Sequence, residues 1–204
     1  MLPSRSQAYR CVYPIFNADI LLSVPDLKGR RDGARLIANL APNRILDVGL
    51  AAVPEGNRVL TDLAVEENLR AAGALMHGAK DAALADTYAC LPELAERRNQ
   101  LAGTLSGVQQ QMVALSYALM CRPKYLLIDE MSFGLAPMIL QRLTGFVEDL
   151  KRDGLGIVLI EQFTDLALKV GDDAVVPRSG IARFAGKASE LKDDPSKLDR
   201  AYFG

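Results

Sequence analysis

Cysteine is scarce in this sequence, and the three residues present, Cys11, Cys90 and Cys121, are scattered and form no CxxC pair. An odd, dispersed set argues against a disulfide framework and against structural zinc, and suits a reducing cytoplasm. Net charge is nearly absent as well. The formal value of −1 gives no electrostatic case for nucleic acid or an acidic membrane as a primary ligand. Long apolar runs are missing: stretches such as Tyr125-Leu126-Leu127-Ile128 fall far short of the roughly 20 residues of a membrane span. The opening Met1-Leu2-Pro3-Ser4-Arg5 lacks the apolar core and cleavage site of a secretory signal. If such a protein works at a membrane, it docks onto another subunit. No internal repeat and no low-complexity tract is present.

What remains is ordinary globular material. The 204 residues are 50% hydrophobic and 24% charged, enough for one domain with a sizeable core and a small subdomain. Residues 1–19 are weakly periodic and broken by Pro3 and Pro14, and Val24–Gly33 is polar and turn-rich. Pro42 sits just inside a short predicted helix, where its missing N–H costs nothing. A small strand follows around Val48–Val53, closed by Pro54-Glu55-Gly56. Residues 65–98 read as helices punctuated by Gly73, Gly78 and Pro92. A further helix runs from about Ser106 to Met120, with Met112, Leu115 and Leu119 on one face. Arg122-Pro123 stops it. Two continuous apolar strands, Tyr125–Ile128 and Ile157–Ile160, are separated by an amphipathic helix over 138–151. Helix 164–170, strand Ala174–Val176 and a Ser179-Gly180 turn into Ile181–Phe184 complete the pattern. Short apolar strands alternating with helices predict an α/β fold with a mostly parallel sheet. In such sheets ligands gather at the carboxyl ends of the strands.

Two strands end on polar groups there. Leu126-Leu127-Ile128-Asp129-Glu130 puts a carboxylate at a strand tip, where Asp129 can hold Mg²⁺ beside phosphates and Glu130 can orient or deprotonate a water. Taken alone, the same string also describes a strand leaving into a polar turn. Leu105-Ser106-Gly107 opens a long helix and offers a hydroxyl, free N–H groups and the positive end of a dipole to an anion. Alone, it equally describes an N-cap serine. Ser106 lies 23 residues before Asp129, with one helix, a proline stop and a strand between them.

The ordered set Gly103-Thr104-Leu105-Ser106-Gly107-x-Gln109-Gln110-Gln111-Met112, Arg122-Pro123-Lys124 and Asp129-Glu130-x-Ser132-x-Gly134-Leu135-Ala136-Pro137 resembles the ATP-binding subunits of ABC transporters. The branched-chain amino acid (Liv-type) subgroup is the most similar. Gly49-Leu50-Ala51-x-Val53-Pro54-Glu55-Gly56, Val65-Glu66-Glu67-Asn68-Leu69, Ile160-Glu161-Gln162 and the ending Ala201-Tyr202-Phe203-Gly204 extend the likeness over roughly residues 20–204. The resemblance implies a P-loop NTPase-like core, formed by 20–63 and 104–204, with a small helical subdomain at 64–103. It leaves residues 1–19 unmatched. It implies ATP and Mg²⁺ as cofactors: Glu130 and Gln162 in catalysis, Ser106, Gly107, Gln109 and the Q-loop residue Glu55 at the nucleotide, and Asp129 on the metal. It further implies a second ATPase subunit in a dimer, transmembrane permease subunits as partners, no nucleic acid, and a cytoplasmic place on the inner face of the membrane. Gln162 holds the switch position, and the single histidine, His77, falls in the helical region.

Five departures accompany the likeness. The 204 residues contain no G-x-x-x-x-G-K-[ST] string, so the N-terminal part reads as truncated or degenerate. Asn17-Ala18-Asp19-Ile20-Leu21-Leu22 falls where the phosphate loop would pass into its helix, with Ala18 for the lysine and Asp19 for the Mg²⁺ hydroxyl. Losing the lysine and two or three cradle donors removes on the order of 5 kcal/mol, at roughly 1.5–3 kcal/mol per charge-assisted bond. Val108 replaces the second signature glycine, Tyr117 a family arginine and Met131 the proline after Glu130. Ala64 replaces a capping threonine, at a cost of roughly 1 kcal/mol. These replacements read as drift under weakened constraint, and a non-catalytic relative acting through partner binding is the alternative function.

Overall fold

Apolar runs bounded by breakers form the middle of the sheet. The structure, a computed structural model, describes residues 20–23, 42–53, 56, 59–75, 79–132 and 137–204. The elements run β1 (Ile20–Ser23), α1 (Pro42–Asp47), β2 (Leu50–Val53), α2 (Val65–Ala72), α3 (Lys80–Cys90), α4 (Pro92–Glu96), α5 (Gly107–Met120), β3 (Tyr125–Asp129), α6 (Pro137–Arg152), β4 (Gly156–Glu161), α7 (Thr164–Val170), β5 (Asp173–Arg178), β6 (Ile181–Lys187), α8 (Ala188–Asp193) and α9 (Pro195–Phe203). Single 3₁₀ turns lie at Gly73–Leu75 and Ala102–Thr104.

The six strands form one sheet in the order β2-β3-β4-β1-β5-β6. β2, β3 and β4 are parallel, with Tyr125 opposite Gly156 and Asp129 opposite Ile160. Helices cover this part, so Leu126, Ile128 and Leu159 are buried with no polar alternation. The flank beyond β4 is antiparallel. β5 and β6 form a hairpin through Ser179 and Gly180, both at positive φ (51° and 76°). That is the backbone a tight two-residue hairpin turn requires.

β1 departs from the sequence expectation. The resemblance places Ile20-Leu21-Leu22 at the opening of a helix. They form a strand instead, antiparallel to both neighbours, with Ile20 opposite Glu161 and Leu21 opposite Val175. The facing edges of β4 and β5 each carry a row of backbone donors and acceptors that need partners. A short aliphatic segment between them satisfies both rows. Asn17, Ala18 and Asp19 lie outside the described residues, as do Val24–Gly33, Glu55, His77 and the Gly134 turn.

Helix α5 carries the core between the sheet and the preceding helices. Met112 and Leu115 are buried in it, as their spacing predicts, and Leu119 packs against them partly exposed. Two of the replaced positions have structural work. Met131 is buried in the core. The Tyr117 hydroxyl donates a short hydrogen bond to Asn68 Oδ1 and accepts from the Leu60 N–H at 3.3 Å. Asn68, itself fully buried, donates to the carbonyls of Leu60, Leu63 and Ala64 at 2.9–3.0 Å. Tyr117 and Asn68 thus tie α5 and α2 to the segment after β2. Ala64 has no side-chain acceptor to offer α2, yet Glu67 Oε2 still accepts its N–H at 2.8 Å, so half of the capping box survives.

Candidate functional site

The carboxyl ends of β3 and β4 meet, and four polar residues converge there. Asp129 ends β3, buried and level with Ile160 of β4. Glu130 follows with φ of +46°, a region that costs a non-glycine residue about 1–3 kcal/mol. Its N–H donates to the Ile160 carbonyl at 2.9 Å, which holds the turn in place. The turn aims the Glu130 side chain across the strand gap, where Gln162 Nε2 donates to its Oε1 at 2.6 Å. A partly exposed carboxylate fixed by an amide at a strand end can accept a proton from water or orient it.

Beneath that pair lies Glu161, fully buried. It accepts from the Ser132 N–H at 3.0 Å and takes a short hydrogen bond from the Ser132 hydroxyl. Burial pushes its carboxyl above the usual range, the Ser132 bonds pull it down, and the Glu130 charge adds to the rise. Sequence reading names Glu161 only as part of the switch segment. It directly continues the apolar run Ile157–Ile160 and is the last residue of β4, whereas Gln162 lies just past the strand, so the length of the run could have marked it as buried. Glu161 holds the first residues of the turn after Glu130, and so joins the two strand ends.

Ser106, Gly107 and Gln109 form a separate group at the start of α5. Ser106 Oγ accepts from the Gln109 N–H at 3.4 Å, and Gln109 Oε1 accepts from the Ser106 N–H at 3.0 Å. This is a reciprocal capping box. Gly107 stands open, since a Cβ there would meet nothing within 4 Å. Val108 packs partly into the core. The exposed end of the helix therefore presents a hydroxyl and a glycine to its surroundings, with the helix dipole behind them. The structure joins Glu130 to Gln162 and Ser106 to Gln109; Glu55 lies outside the described residues.

Whether these residues fit Mg²⁺ and a triphosphate turns on β1. A phosphate loop leaves the carboxyl end of a parallel strand and enters a helix, turning backbone N–H groups toward the ligand. The sheet position between β4 and β5 holds β1 running the other way. Its first residue lies level with Glu161 and its last with Asp173. Its carboxyl end at Ser23 therefore lies away from the edge where Glu161 stands. Asp129 is buried at the end of β3, and the described residues gather no group of three or more ligand-type side chains that could hold a metal ion there.

Comparison with solved structures defines the class of fold. The ADP conformation of an ATP-binding cassette of an ABC transporter matches with a TM-score of 0.69, over 81% of this chain and 73% of that one, at 23% identity. A nucleotide-free ATP-binding cassette from an ABC transporter matches equally well, with a TM-score of 0.69 over 83% and 75% at 22% identity. At such identities the likeness concerns the fold. Sequence relatives go further. The high-affinity branched-chain amino acid transport ATP-binding protein BraG of Pseudomonas aeruginosa is 40% identical over 177 residues, 86% of this chain and 75% of that protein. The probable branched-chain amino acid transport ATP-binding protein LivF of Archaeoglobus fulgidus is 36% identical over 177 residues, 82% of this chain and 72% of that protein. Residues 30–132 match the ABC transporter family. The chain belongs to the ABC transporter family, in the Liv-type group of ATP-binding subunits.

Proposed function

We propose that the chain serves an importer of branched-chain or related amino acids as an ATP-binding-type subunit that holds no nucleotide of its own. It pairs with a second ATPase subunit that carries an intact phosphate loop. To that partner's ATP it presents the Ser106 hydroxyl and the Gly107 and Gln109 end of α5. Asp129 for Mg²⁺, Glu130 and Gln162 for hydrolysis, and Glu55 at the nucleotide keep the positions of the family without a triphosphate beside them. The chain lies on the cytoplasmic face of the membrane against permease subunits. Among the described residues no helix is long and apolar enough to cross a membrane. Residues 20–63 and 104–204 act as the core and 64–103 as a helical subdomain. The observation that carries this reading is the direction of β1 between β4 and β5.

Thermal unfolding with Mg²⁺ and millimolar ATP tests it. The expected result is no rise in melting temperature for the chain alone, and ATP-dependent association with a partner ATPase subunit that weakens on Ser106→Arg. A rise for the chain alone, abolished by Asp129→Asn, would overturn the loss of nucleotide binding. Partner association indifferent to both ATP and Ser106→Arg would point to the non-catalytic role.

A further inference from the structure

The parallel strands have a second end. Opposite the Glu130–Gln162 edge, the first residues of β3 and β4, Tyr125 and Gly156, open onto a cavity of about 500 Å³. At about 3.3 Å per residue along β3, it lies roughly 13 Å from Asp129. Its size falls within the roughly 300–1,000 Å³ of small-molecule sites. Three segments wall it: the end of α3, the turn from α5 into β3, and the turn from α6 into β4.

Chemistry divides floor from rim. The floor is apolar or satisfied. Leu150 is buried, Leu119 and Leu155 are partly buried against the core, and the buried Thr87 spends its hydroxyl on the Ala83 carbonyl at 2.8 Å. The rim carries two cations and two anions. Arg122 and Asp86 form an ion pair that bridges the turn and α3. Lys124 and Asp153 also line the cavity, are exposed, and pair with no described residue. Both are mounted on fixed backbone. The Lys124 N–H donates to the Gly49 carbonyl at 2.8 Å, and its carbonyl accepts from Gly156 at 3.0 Å. The Asp153 turn closes through Gly154 at φ of +88° and a Leu155 N–H bond to Leu150 at 3.0 Å. Burial and the charges of Asp153 and Asp86 push the Cys90 thiol up, so it adds no anion near neutral pH.

A rim of balanced charge disfavours a simple anion, which Asp86 and Asp153 would repel, and a simple cation, which Arg122 and Lys124 would repel. It suits a molecule carrying both charges. The floor suits a short aliphatic group. We propose that this cavity binds a free α-amino acid with an aliphatic side chain: carboxylate on Lys124, ammonium on Asp153, side chain against Leu119 and Leu150. Binding there joins the turn from α5 into β3 to the turn from α6 into β4 and stabilises the fold by mass action. The site lies at the opposite end of the strands from the nucleotide edge and does not rest on the reading of that edge.

Titration of L-leucine into the full chain without nucleotide, by calorimetry and by melting temperature, tests the assignment. Saturable binding is expected. Isoamylamine, which lacks the carboxylate, and isocaproate, which lacks the ammonium, should each bind about tenfold more weakly or worse. Lys124→Met should erase the preference over isoamylamine, and Asp153→Asn the preference over isocaproate. Both side chains are exposed, so the variants should keep the wild-type melting temperature in the absence of ligand. The proposal is overturned by no saturable binding up to about 10 mM, by binding unchanged in both variants, or by glycine binding as tightly as leucine.

Discussion

The two flanks of the sheet differ in how they are built. On one side β2, β3 and β4 are parallel, buried under helices, and end together on Asp129, Glu130, Glu161 and Gln162. On the other, β1, β5 and β6 are antiparallel, and β6 is largely exposed. Parallel strands deliver several carboxyl ends to one edge, which is what concentrates chemistry there. An antiparallel strand delivers its carboxyl end to the opposite edge. One reversed strand, β1, therefore turns its carboxyl end away from the Glu130 edge. The family's fold survives the reversal because the sheet needs only paired backbone groups, whereas nucleotide binding needs a loop at one particular end.

The largest expected effect probes whether the two flanks unfold together. Leu159→Ala in β4 and Leu191→Ala in α8 both empty buried sites and should each cost about 2–5 kcal/mol. In urea both should shift one shared transition. A separate early transition in Leu191→Ala alone would make the antiparallel flank an independent unit. Next comes Asn68→Ala, which strips partners from buried carbonyls beside α2 and should cost about 1–3 kcal/mol by chemical denaturation. Retained stability would deny that Asn68 and Tyr117 brace the helices. Ser106→Ala removes one arm of the α5 cap, at a cost near 1 kcal/mol. A neutral result would mean that Ser106 is kept for a ligand alone.

The smallest effect has the opposite sign. The Glu161 carboxyl is raised in the folded state. Its stabilising contribution is present in full below the ordinary carboxylate value and is lost as pH rises through the folded value. Glu161→Gln can still accept from Ser132. It should raise the melting temperature at neutral pH, and the advantage should fade in acid. A variant less stable than wild type at every pH would show that the ionised form is the one the strand ends need.

Much of the parallel flank was legible in residues. Tyr125–Asp129 and Gly156–Glu161 are apolar runs longer than a turn and shorter than a helix, bounded by Pro123 and by acidic residues, so length and breakers decide them. The α5 cap was legible too, because Ser106 and Gln109 have the spacing of a capping box. Three features were not. Ile20-Leu21-Leu22 is too short for periodicity to separate strand from helix. Tyr117 and Met131 look like losses when set against the family, and only their neighbours show the hydroxyl bonded to Asn68 and the thioether filling the core. Glu161 hides behind Gln162, because a buried carboxylate is unexpected until Ser132 is found opposite it.

The sequence by itself determined the family, the parallel strands, and which residues stand at their ends, because these rest on local pattern and fixed spacing. Tertiary structure alone decided the direction of β1, the pairing of Glu130 with Gln162 and of Glu161 with Ser132, and the balanced rim around Lys124 and Asp153. Each of these depends on which backbone edge or charge a distant segment meets. Nothing within a short window of sequence records that encounter.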